Sequence, residues 1–311
     1  MDHFSPEGNP YHTYHSKDGS LAEVSKAKAE DKAKLIKSLE ELKLQDPFYD
    51  QVARSAYDYL WVKLYSSDTP PPPRPLVFVI PESQRETVKN LQLSTRSMDK
   101  IKAGVLLLDL DIIVVYSSGA KYLDTLKICH EIFHDLARKD LVYDGKKTAA
   151  SKVGFRTAKS PNHESGSMLE EGLAEYEGRE YFVNRFKRDF PSEYQALVSE
   201  LQSNYGNRSL NSLIHDQIDD VIAEPYYHAE MVVQNLIEII KERHPLGTIF
   251  EYLLLQSRAN PNRTREVVSM IDDVLGVKLR RQIFSFNMSN LEKMIDLQAT
   301  LHSMRQQKAR T

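Results

Sequence analysis

Cysteine is almost absent from this chain of 311 residues. Cys129 stands alone, which excludes an intramolecular disulfide and any zinc site built on cysteines. A surplus of one charge is absent as well: 41 Lys and Arg face 44 Asp and Glu, a formal net charge of −3. Nucleic-acid and anionic-membrane binders normally carry a basic surplus, so neither partner is expected. Long apolar runs are missing too. The longest, residues 105–116, is broken by Asp109 and Asp111 and is too short to span a bilayer. The opening MDHFSPEGNP is polar and lacks the basic-then-apolar pattern of a secretion signal. No repeat of fixed period is evident. With 41% hydrophobic and 27% charged residues, the composition is that of an ordinary globular protein, and without a signal pattern or membrane span a cytoplasmic location is expected.

Periodicity divides the chain into helices, a small sheet and helices again. Residues 1–20, punctuated by Pro6, Gly8, Pro10 and Gly19, read as a flexible tail. Residues 21–69 read as two helices. Leu35, Ile36, Leu39 and Leu42 line one face of the first, and Asp46-Pro47 cap and open the second. The prolines of residues 70–75 form a stiff extended spacer. Short strands follow at 76–80, 105–108 and 112–116, with a helix at 83–93 between the first two. A longer helix is expected over 122–137. Beyond Lys139 the chain reads as a polar, irregular connection to about Ser167. From Met168 onward it reads helical, with breaks at Pro191, 204–207, Pro225, 244–247 and 260–262.

The chemistry concentrates in His130-Glu131-Ile132-Phe133-His134. On a helix, residues four apart share a face, so both imidazoles can reach one ion. Glu131 sits beside them as a base for water, the logic of the H-E-x-x-H metalloprotease pattern. Two histidines leave a catalytic zinc one protein ligand short, and a carboxylate from a neighbouring helix completes a His2Glu set. The next helix offers Met168-Leu169-Glu170-Glu171-Gly172-Leu173-Ala174-Glu175-Tyr176. Gly172 and Ala174 are small enough to let it approach the histidine helix. Glu170, Glu171 and Glu175 are all candidates, and Asp140 and His163 are further rivals. Glu175, one turn from Glu171, also suits an orienting role behind a ligand. The bland alternative is a pair of core histidines, with Cys129 a buried neighbour.

His130–His134 followed by E-E-G-L-A-E-Y resembles the gluzincin metallopeptidases, of the thermolysin and aminopeptidase N kind. In the aminopeptidase branch the glutamate ligand stands just before the glycine, a position that is Glu171 here. Tyr226-Tyr227-His228-Ala229 resembles the Y-x-x-G segment of such peptidases, with alanine in place of glycine. The resemblance matches Tyr226, with Tyr227 as its competitor, to the tyrosine that stabilises the oxyanion. The exopeptidase G-x-M-E-N string is absent, so aminopeptidase specificity is not implied.

The resemblance implies an α+β fold: a zincin-like small sheet on the HEIFH helix within a catalytic core at residues 76–190, then a helical subdomain at 191–311. It implies one Zn2+ per chain on His130, His134 and Glu171, and hydrolysis of peptide or protein substrates with Glu131 as base. The strand at 112–116 is a candidate edge for an extended substrate. Two other readings remain. Gly8-Asn9-Pro10-Tyr11-His12, then Lys17-Asp18-Gly19, faintly resembles a motif of phage head-morphogenesis proteins without its Arg-Phe. That suggests a zinc-bearing scaffold or virion component with vestigial chemistry. The other is a regulator that cleaves one cognate protein. His3, His12 and His15 read as tail residues.

Overall fold

The computed structural model describes residues 12–16, 21–65, 71–93, 104–107, 110–117, 119–144, 147–160, 163–205 and 224–308. The fold is mixed α+β, as expected. The chain divides into two compact units: residues 1–62, 66–153 and 158–163 form the first, and residues 63–65, 154–157 and 164–311 the second.

In the first unit, α1 (Leu21–Leu42) and α2 (Pro47–Leu64) precede β2 (Leu76–Pro81). A short helix α3 (Arg85–Lys89) leads towards the hairpin strands β3 (Gly104–Leu107) and β4 (Ile112–Ser117). Together they make a three-stranded sheet of order β2-β4-β3, with β2 parallel and β3 antiparallel to β4. Every residue of β4 is buried. Its run of β-branched and aromatic side chains suits a strand covered on both faces. Leu35 and Leu39 of α1 pack with Phe78, Ile80, Ile112, Val114 and Tyr116 in one core. Helix α4 (Lys121–Asp135) lies against β3 and β4.

The expected edge at 112–116 is therefore corrected: β4 is the middle strand. β2, distant in sequence, joins it on the side the hairpin leaves open, and strand order of that kind depends on long-range pairing. The irregular connection after Lys139 is corrected too. It holds β5 (Lys139–Asp144), β6 (Lys147–Val153), β7 (Arg156–Ser160) and β8 (His163–Ser165). They belong to a five-stranded sheet of order β1-β5-β6-β7-β8, in which β1 is His12–Ser16. β5 alternates buried residues with half-buried or exposed ones, but its polar composition conceals that period. The tail thus contributes a strand, paired parallel to β5. Tyr14 and Tyr143 stack across that pair with the Lys28 ammonium 4.3 Å from each ring centroid, a cation–π arrangement. The phage-like residues 8–11 and 17–19 and His3 lie outside the described residues.

The second unit is helical. It contains α5 (Ser167–Glu180), which runs through a π-helical turn at Tyr181–Phe186 into the short α6 (Lys187–Asp189). Then come α7 (Pro191–Tyr205), α8 (Glu224–Arg243), α9 (Phe250–Ser257), α10 (Pro261–Ser285) and α11 (Leu291–Lys308). The breaks expected at Pro191, Pro225 and 260–262 are helix starts, where the missing proline N–H costs nothing. Asn260 caps α10, its side chain accepting from the Asn262 N–H at 3.0 Å. Gly276, at φ 78°, kinks α10. α5 packs along α8 at close range, because an added Cβ on Gly172 would meet the Ala229 carbonyl oxygen at 2.4 Å. The small residue on α5 thus admits the backbone of α8.

Candidate metal centre

Helix α4 begins after Gly119, whose φ of 93° turns the chain out of β4. Its Asp124 is fully buried and accepts hydrogen bonds from the hydroxyls of Tyr49, at 3.0 Å, and Ser117. Burial raises its pKa, against the lowering effect of those two hydroxyls. At the other end, Lys139 is fully buried, with its ammonium 2.6 Å from Asp135 and 3.1 Å from Asp111. Burial alone would discharge it, but the two carboxylates outweigh burial and hold its pKa above the ordinary lysine value. Asp111 reaches this position from the β3–β4 turn at φ 51°. Both ends of α4 are tied to its own unit by buried polar contacts.

Between those ties, Ile128, Cys129, Ile132 and Phe133 are buried. His130 and Glu131, on the remaining face, are only partly so. The imidazoles of His130 and His134 have centroids 4.7 Å apart at 79°, with Nε2 atoms 3.0 Å apart. A hydrogen bond fits this distance, but so does shared ligation. Two nitrogens bound tetrahedrally to zinc at about 2.0–2.1 Å stand roughly 3.3 Å from each other. A shift of a few tenths of an ångström separates the two distances.

In the second unit, α5 gives its neighbouring glutamates different partners. Glu170 is fully buried against Arg258, itself 2% exposed, with Nε–carboxylate distances of 3.0 and 3.1 Å. It also accepts from the Phe155 N–H at 3.1 Å. That engagement removes Glu170 from the ligand candidates. Glu171 is 6% exposed, and Arg156 approaches its carboxylate at 3.4 Å while pairing with Glu164 at 3.2 Å. Burial acts to lower the pKa of Arg156, but Glu171 and Glu164 outweigh it and raise it, with Tyr226 and Glu170 adding to the effect. Tyr226 thus shares the surroundings of Arg156, whereas the Tyr227 ring stands 5.3 Å from that of His228 at 71°. Both tyrosines are half-buried on α8.

Of the candidate ligands, His130 and His134 stand together on α4 in the first unit, and Glu171 stands on α5 in the second. Asp140 lies in β5 and pairs with Arg138 at 3.4 Å. Glu175 is partly buried on α5, and the side chain of His163 lies outside the described residues. The sequence reading missed Arg156 and Arg258. The first sits in a stretch read as irregular. The second follows a leucine run, where an arginine normally extends to solvent. Comparison with protein families, curated proteins and solved structures finds no match to this chain.

Proposed function

We propose that this protein is a zinc-dependent peptidase of gluzincin type, with one zinc ion per chain on His130, His134 and Glu171. What carries the reading is the convergence of the two α4 imidazoles, 3.0 Å apart at Nε2, with Glu131 between them in sequence. Two neutral nitrogens and one carboxylate suit zinc and leave a fourth position for water or substrate. Bound there, zinc supplies Lewis acidity, making water acidic enough to attack near neutral pH and polarising the scissile carbonyl.

The chain's own groups do the rest. Glu131 takes the proton of the attacking water and returns it to the leaving amine. Tyr226, or Tyr227 in its place, donates its hydroxyl to the oxygen on which charge develops. Arg156, 3.4 Å from Glu171, restrains the ligand carboxylate. Peptides or proteins are the substrates. The charge balance gives nucleic acid no attraction, and no helix among the described residues is long and apolar enough to cross a membrane. Residues 76–190 form the catalytic core of this proposal and residues 191–311 its helical subdomain.

The test pairs metal analysis with hydrolysis of a mixed peptide library. Glu131→Gln is expected to keep stoichiometric zinc and lose turnover, while His134→Ala loses the metal. Loss of zinc from both variants alike would refute the assigned roles. Stoichiometric zinc without hydrolysis of any library peptide would instead favour a scaffold or a single-substrate regulator.

A further inference from the structure

A cavity of about 320 Å³ opens within the first unit, between α1, α2, the start of β2 and α4, and none of the proposed ligands lines it. Its apolar lining includes Tyr57 and Ile132, both buried. Its charges are unequally satisfied. Lys43 pairs with Glu40 at 2.8 Å, so those two cancel. Arg54 and Arg74 have no carboxylate partner among the described residues, and Arg74 rests over the Tyr57 ring at 5.9 Å. Against these two guanidinium groups stands one carboxylate, Asp50. The cavity therefore keeps about one net positive charge.

The backbone adds a donor and an acceptor. Successive residues of a strand direct their N–H and C=O groups to opposite edges. Leu76 donates to the Asp111 carbonyl on the β4 side at 3.0 Å, while Val79 accepts from the Leu44 N–H on the other side at 2.9 Å. Val77 shares the side of Val79, so its N–H and C=O lie on the outer edge of β2, where Val77 lines the cavity.

We propose that this cavity binds the carboxyl terminus of a peptide, with the carboxylate on Arg54 and Arg74 and the last side chain against Tyr57 and Ile132. One net positive charge matches a monoanion, and planar guanidinium groups pair with carboxylates in bidentate fashion. The Val77 N–H and C=O match the peptide backbone behind that carboxylate. This site is independent of the metal reading.

The test uses the full chain and two probes, N-acetylphenylalanine and its neutral amide, followed by isothermal titration and NMR shift perturbation. The acid is expected to bind at least tenfold more tightly than the amide. The double variant Arg54→Gln/Arg74→Gln should abolish that preference, and Arg54→Lys/Arg74→Lys should retain part of it, which separates loss of charge from loss of fold. Equal binding of acid and amide, unchanged preference in the Gln variant, or no binding of either probe would overturn the proposal. Inorganic phosphate displacing the acid at lower concentration would overturn the choice of carboxylate.

Discussion

Gly172→Ala is the most direct probe of how α5 is held. A methyl group there would stand 2.4 Å from the Ala229 carbonyl oxygen, 2.7 Å from its carbon and 3.0 Å from a Val233 methyl. Ordinary contact needs about 3.5 Å, so α5 and α8 must part by roughly 1 Å along this line. Two of the three obstructing atoms are backbone and have no other rotamer to adopt. Overpacking of this kind costs about 1–3 kcal/mol, and the backbone clash places it in the upper part of that range. The better helix propensity of alanine returns about 1 kcal/mol. The expected net effect is a loss of about 1–2 kcal/mol, read as a lower urea midpoint at unchanged slope. Adding Ala229→Gly should not restore it, because the obstructing carbonyl survives that substitution. A midpoint equal to or above wild type would show that α8 does not pass this close to α5. Under the zinc proposal the same variant displaces Glu171, the neighbouring residue, and metal affinity should fall with stability.

Two further outcomes follow from buried charges in the second unit. Glu177 is fully buried beside Lys63 at 2.9 Å, and burial, the dominant cause, raises its pKa to about 7 from 4.5 despite that lysine. A carboxyl whose folded pKa is raised stabilises most below its unfolded pKa, so its contribution is lost as pH rises from about 4.5 through 7. Glu177→Gln should therefore flatten that decline and be the more stable protein at pH 8. The gain is at most of the order of 3 kcal/mol, and chemical denaturation at pH 5 and pH 8 reads it; no difference between the two pH values would refute the assignment. For the Glu170–Arg258 pair, Glu170→Ala leaves a buried guanidinium uncompensated and should cost about 3–5 kcal/mol. The double variant Glu170→Leu/Arg258→Met should recover most of that loss in thermal unfolding, and an Arg258 that tolerates Glu170→Ala would show the pair to be solvated.

The sequence alone carried whatever depends on neighbours a few residues apart. The i,i+4 histidines share a face of α4 because helical spacing requires it. Pro191, Pro225 and Asn260-Pro261 mark helix starts because proline and an Asn cap act locally. The apolar run 112–116 is a strand because its side chains are β-branched or aromatic. Other features depend on partners remote in the chain. β4 became the middle strand when β2 paired with its open side. Residues 12–16 and 139–144 became strands by pairing with each other, although neither has a strong apolar period. Glu170 and Glu171 look alike in sequence and point to different arginines, Arg258 and Arg156. Gly172 is small because a carbonyl more than fifty positions later occupies the space of its side chain. Local backbone preference is encoded in short windows of sequence, whereas strand order, ion-pair choice and close helix contacts are settled only when distant segments compete for the same space and the same hydrogen bonds.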